Sequence, residues 1–321
     1  MANAKKSSSK RSRSAKKMTP AVLHLRYELT NSSSAGTETS HYIDLARDLS
    51  AVNRRLYRQG RDYHVKKITI VSSDTPNGGN RLSASVLPNS WPVRMGWTRG
   101  FHAWNEMNKN AKDQTNSISG TWADFKVDMT RDAQIKRSAG QLLRPIDNGN
   151  NAVLAGEWEY SAFVGPVSGG GTPDTYAIHM LGGHVGSPGA YTSIGLVQSY
   201  GDARATVGSP SPDVPTNLDS DPLVNLFDWG DTINTIIDDL EFQNDTPPYD
   251  QFEYPGDGDN MPKPLVAQDT TIVDGRAVMG GFNAICGVIE FESKSAIPSD
   301  IFSVLVELSS GNYRGVKADV I

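Results

Sequence analysis

The chain has 321 residues, a formal net charge of −5 and 37% hydrophobic residues, enough to bury a core in one large or two small domains. Cys286 is the only cysteine, which excludes an intrachain disulfide and a multi-cysteine zinc site. No run of eighteen apolar residues is present to cross a membrane as a helix.

Thirty glycines and eighteen prolines favour a β-rich fold with many turns over a helical bundle. The charge is unevenly spread. Lys5, Lys6, Lys10, Arg11, Arg13, Lys16 and Lys17 crowd the first seventeen residues, which hold no acid. Setting those seven aside leaves 24 basic against 36 acidic residues, a balance of −12. The spacing predicts a disordered basic arm over 1–20. Phosphates ask only for nearby positive charge and release of counterions, so such an arm suits sequence-independent binding of nucleic acid. The same residues would also serve as an address for a nuclear import receptor. They lack the apolar run of a secretory signal.

From Pro20 the pattern changes. Leu23, Leu25, Tyr27 and Leu29 alternate with polar residues and predict a half-buried strand. Tyr42, Leu45, Ala46, Leu49, Val52 and Leu56 fall at helical spacing, predicting a helix over 41–59 stopped by Gly60, with Arg47, Arg54, Arg55 and Arg58 on its polar side. Residues 65–71 are rich in β-branched side chains and read as a strand, followed by a turn at 75–80. Arg54, Arg55, Arg58, Arg61, Lys66 and Lys67, interleaved with Tyr57 and Tyr63, form a second basic cluster. It reads equally as a binding surface or as a solvated face, and Arg54, Arg55 and Arg58 are its strongest candidates.

Trp97, Phe101, Trp104 and Met107 predict a helix across 93–108. Phe125, Val127 and Met129 predict a half-buried strand, as do Trp158, Tyr160 and Val164, and then Tyr176, Ile178 and Met180. Asp221-Pro222 reads as a helix start, with apolar spacing continuing to Leu240. Between Val207 and Pro262 stand thirteen acids and no Lys or Arg, inside a Pro-rich acidic insertion over about 207–264. Residues 282–291 and 301–308 look like central strands of a sandwich, apolar on two faces. The expected class is mainly β: an antiparallel sandwich of jelly-roll type with helical insertions.

Signatures of catalysis are weak. His179 and His184 lack the i, i+4 spacing of a zincin, and no nucleophile elbow or phosphate loop is present. Cys286 lies in an apolar stretch and reads as a buried hydrophobe. Glu157 and Glu159 would share a strand face, a weak hint of glycoside chemistry. The acidic stretch lacks the twelve-residue calcium loop. No catalytic group, metal or cofactor is expected.

Three stretches carry a resemblance: "LSAVNRRLYRQGRDYHVKKITI" (49–70), "GWTRGFHAWNEMNK" (96–109) and "GNYRGVKAD" (311–319). With the basic arm and the acidic β-rich body, they resemble the capsid proteins of small circular single-stranded DNA viruses that replicate by rolling circle. The resemblance implies a shell domain over 21–321, many copies in an icosahedral virion, an arm turned inward to the DNA, and assembly in the host nucleus or cytoplasm. Two rival readings are a nuclear nucleic-acid-binding or chaperone-like protein and a β-sandwich carbohydrate-active protein.

Overall fold

The computed structural model describes residues 19–73, 79–115, 124–165, 174–187, 190–202 and 264–321. Two antiparallel sheets dominate it. The first is built on β1 (His24–Thr30), β14 (Ile301–Leu308) and β3 (Arg61–Val71), hydrogen-bonded in that order. Along the far side of β3 lie β11 (Arg276–Met279) and β12 (Phe282–Ile285), and β17 (Ala318–Val320) pairs with its first residues. The second sheet runs β10 (Leu265–Ile272), β4 (Asn80–Val86), β13 (Val288–Lys294), β2 (Thr39–Asp44).

The pairing is nested. β1 pairs with β14, β2 with β13, β3 with β11 and β12, and β4 with β10, all antiparallel. Period-two alternation explains which faces meet. Leu25, Tyr27, Leu29, Ile68, Ile70, Phe302, Val304 and Val306 from the first sheet form one buried cluster with Ile43, Leu82, Ala84, Ile289 and Phe291 from the second.

Between β4 and β10 the chain leaves the two sheets. It forms α2 (Trp91–Thr115), β5 (Asp128–Thr130), α3 (Arg131–Ser138), β6 (Ala162–Gly165), β7 (Asp174–Leu181), β8 (Val185–Ser187), β9 (Ala190–Gly195) and α4 (Leu196–Asp202). β5 and β9 pair with β7 in parallel, while β6 and β8 add antiparallel partners. A second core seals this sheet to the end of the sandwich. Trp97 stacks on Phe101 at 5.3 Å between ring centroids, and both pack with Phe125, Met180 and Leu196. Tyr42, Ile285, Cys286 and Val288 of the sandwich complete the cluster.

Several expectations change. The helix over 41–59 is two elements: Tyr42 belongs to β2, and α1 covers only Leu45–Asn53. Asp44 caps its start by accepting the Arg47 N–H at 3.1 Å, and Arg54, in the left-handed region at φ 52°, ends it six residues before Gly60. The segment 282–291 is likewise broken. Cys286 (φ 59°) and Gly287 (φ 70°) turn the chain between β12 and β13, so Cys286 is buried in a turn. β14 is central but alternates, with its even-numbered residues buried and its odd-numbered ones reaching solvent. Residues 124–130 are buried on both faces, because the sandwich covers one and the insertion the other. Trp158 and Tyr160 precede β6 instead of lying on a strand, and Val164 is exposed. Most of the turn at 75–80, the helix expected from Asp221 and the acidic insertion lie outside the described residues.

Candidate nucleic-acid interface

The described chain starts at Thr19, two residues after Lys17. Its first residues are held against the end of α1. The Val22 N–H donates to Asn53 Oδ1 at 2.7 Å, and Asn53 Nδ2 donates back to the Val22 carbonyl at 3.2 Å. Arg55 Nη1 donates to the Pro20 carbonyl at 3.1 Å. Gly315, at φ 97°, lets Thr19 pass: a Cβ there would lie 2.3 Å from the Thr19 carbonyl oxygen. Residues 1–18, with all seven basic candidates of the arm, lie outside the described residues.

The side chains of the second basic cluster have different surroundings. Arg54 and Arg55 are exposed beside the root of the arm. Arg58 pairs with Asp124 at 2.8 Å, while its own side chain stays 42% exposed. Arg61 lies over the Tyr313 ring, 4.0 Å from its centroid, and Lys67 pairs with Glu307 at 2.9 Å. Lys66 points out from the first sheet. Arg47, expected on the polar side of the helix, is buried. Burial works against its charge, but Asp48 at 2.8 Å holds the guanidinium ionised.

The interleaved tyrosines are core residues. Tyr57 and Tyr63 are fully buried, donating to the Arg314 and Arg58 carbonyls at 2.9 and 2.7 Å. The aromatic ring that lines a cleft with Arg54 and Arg55 is Trp158. A cleft of about 480 Å³ lies between the end of α1, with Ser50, Ala51 and Arg54 to Leu56, and the segment Leu154 to Trp158. Lys126 also lines it, with Nζ 4.7 Å from the Trp158 ring centroid. Burial pushes the Lys126 amine toward its neutral form, and Asp124 opposes this. The cleft therefore presents three basic side chains, one carboxylate (Glu157) and an apolar wall that includes Leu154, which is 76% exposed. The sequence hides this partnership, because Trp158 stands about a hundred residues after Arg55 and its alternation with polar neighbours reads as a strand.

The catalytic candidates disperse. Glu157 and Glu159 are exposed but not on a strand, and only Glu157 lines the cleft. His179 is fully buried. Its Nε2 lies 3.1 Å from the Gly183 carbonyl and must donate, so Nδ1, 2.7 Å from Ser193 Oγ, accepts. Burial holds this neutral imidazole down to about 4. His184 Nδ1 accepts the Gly195 N–H at 3.1 Å. Both histidines have structural partners. Among the described residues no cluster of His, Cys, Asp and Glu is arranged to hold a metal, and no helix is long and apolar enough to cross a membrane.

Comparison with protein-family models, with curated proteins and with solved structures returns no match for this chain.

Proposed function

We propose that this chain is a virus capsid protein: a jelly-roll shell domain that self-assembles, with a basic arm that holds the genome. The nested pairing supports the jelly roll. A long antiparallel hairpin rolled onto itself pairs the first strand with the last, the second with the next to last, and so inward, splitting into two sheets. The observation that carries the functional reading is the seating of the arm's root. Asn53, Arg55 and Gly315 fix Thr19 to Val22 beside two exposed arginines, Arg54 and Arg55, and Thr19 follows the seven arm cations closely in sequence.

On this reading the arm neutralises phosphate without reading sequence, and the β4–β10 insertion supplies surface for contacts between copies. Single-stranded DNA as the cargo rests on the resemblance alone. The carbohydrate reading is weakened because Glu157 and Glu159 do not share a strand face.

The test is expression of the full chain, followed by negative-stain microscopy and measurement of nucleic-acid content. Closed particles that lose nucleic acid when the seven arm cations are replaced by Gln support the reading. A monomer at high concentration under all salt conditions sinks it.

A further inference from the structure

We infer that the cleft between α1 and residues 154–158 is a nucleotide-binding pocket on the shell domain itself, one that seats a single nucleotide of the strand whose phosphates the arm holds. The packaging reading suggests which polyanion arrives; the pocket rests on its own geometry.

Four observations carry it. First, its volume of about 480 Å³ falls in the range of small-molecule sites. Second, its walls differ in chemistry. Arg54 and Arg55 line the α1 side, and Arg54 makes no ion pair among the described residues. Arg55 spends one amino group on the Pro20 carbonyl, leaving further N–H donors for a phosphate. Leu154, Ala155 and Trp158 add apolar surface suited to a base, with Lys126 Nζ 4.7 Å from the Trp158 ring centroid as a third cation. Third, Glu157 sits on that base side. Its carboxylate repels phosphate but accepts from an exocyclic amino group, which predisposes the pocket to cytosine over thymine. Fourth, Leu154 is 76% exposed, an apolar side chain on a cleft wall that a bound base would cover.

The rival occupant is the chain's own acidic stretch, supplied by a neighbouring copy. Its carboxylates could meet Arg54 and Arg55, but it leaves Glu157 facing like charge.

The experiment uses full-length protein and deoxycytidine monophosphate as the probe, read by isothermal titration calorimetry. Two variants spare the fold. Arg54→Gly suits the left-handed φ of 52°, and Leu154→Asp alters a largely exposed side chain. Saturable binding is expected in the wild type and in the arm with all seven cations replaced by Gln. Affinity should fall at least tenfold in R54G combined with Arg55→Gln, and at least tenfold in L154D. Deoxythymidine monophosphate should bind several-fold more weakly, a difference that Glu157→Ala removes.

Binding in the arm-neutralised variant separates this inference from the packaging reading, which concerns long strands and particles. Absence of binding at millimolar nucleotide overturns the pocket, as does equal binding by the variants. Displacement of the nucleotide by a synthetic peptide of residues 213–231, with that peptide binding more tightly, overturns it in favour of contact between copies.

Discussion

Asn53 and Val22 hold each other through both backbone groups of Val22, at 2.7 and 3.2 Å, across 31 residues of sequence. This two-way bond ties Val22, near the start of the described residues, to the end of α1. Replacing Asn53 by Ala removes both hydrogen bonds, at a cost of about 1–3 kcal/mol. The expected result is a modest fall in melting temperature and faster amide exchange at Val22, with particle formation retained.

Gly315 tests the same tie from the other side. A Cβ at this position meets the Thr19 carbonyl oxygen at 2.3 Å and the Ala21 side chain at 2.8 Å, and the backbone stands at φ 97°. Gly315→Ala should expel Thr19 to Ala21 from their seat. Protease cleavage near Ala21 should quicken more than the melting temperature falls. Unchanged cleavage would contradict the seat.

Gln59 links the sandwich to the insertion. Its Nε2 donates to Asp44 Oδ2 at 2.8 Å and to the Val127 carbonyl at 3.2 Å, while Oε1 accepts the Val127 N–H at 2.7 Å. The side chain is fully buried. Gln59→Leu leaves buried backbone groups of Val127 short of a partner and removes one donor from Asp44 Oδ2, which keeps the Tyr160 hydroxyl at 2.9 Å. A loss of about 2–5 kcal/mol in chemical denaturation is expected.

Acid sensitivity has opposing sources. Burial holds His41 and His179 down to about 4, so an unfolded chain takes up their protons first as pH falls through 6.5, and stability is lost down to about 4. Burial raises Asp48 and Asp128 to about 6, so the native chain takes up those protons first, and stability rises as pH falls from about 6. These contributions largely offset one another. For fully buried His179 the acid loss is of the order of 3 kcal/mol. His179→Gln should be less stable than wild type at pH 7, yet lose less melting temperature between pH 6.5 and 4.5. A steeper loss would contradict the buried neutral histidine.

What was legible in the sequence followed local periodicity. β1, β3, β7 and α2 appear where alternation or helical spacing put them, because each buries one face of a regular element. What local reasoning missed depends on distant partners. Tyr42 fits helical spacing, but its backbone pairs with Glu290 of β13, so the segment begins as a strand. Cys286 looks like the middle of a strand until its positive φ shows the turn between two sheets. Arg58 reads as a cation on a helix face, and its pairing with Asp124 depends on a residue distant in sequence. Trp158 could not be assigned to the cleft, since nothing near it in sequence points toward α1.

On the proposed function, the salt dependence of nucleic-acid binding separates arm from body. Seven arm cations predict that neutralising them lowers the slope of log affinity against log salt by about 5 for a single strand. R54G with R55Q should lower it by about 1 to 2. A slope unchanged by arm neutralisation would place the phosphate contacts elsewhere.

The central claim, that this fold closes a shell around nucleic acid gripped by the arm, is tested most directly by electron microscopy of purified full-length protein. The account predicts uniform closed particles with internal density, and particles emptied of that density when the seven arm cations become Gln. Small discrete oligomers, or particles whose nucleic-acid content is indifferent to the arm, would contradict it.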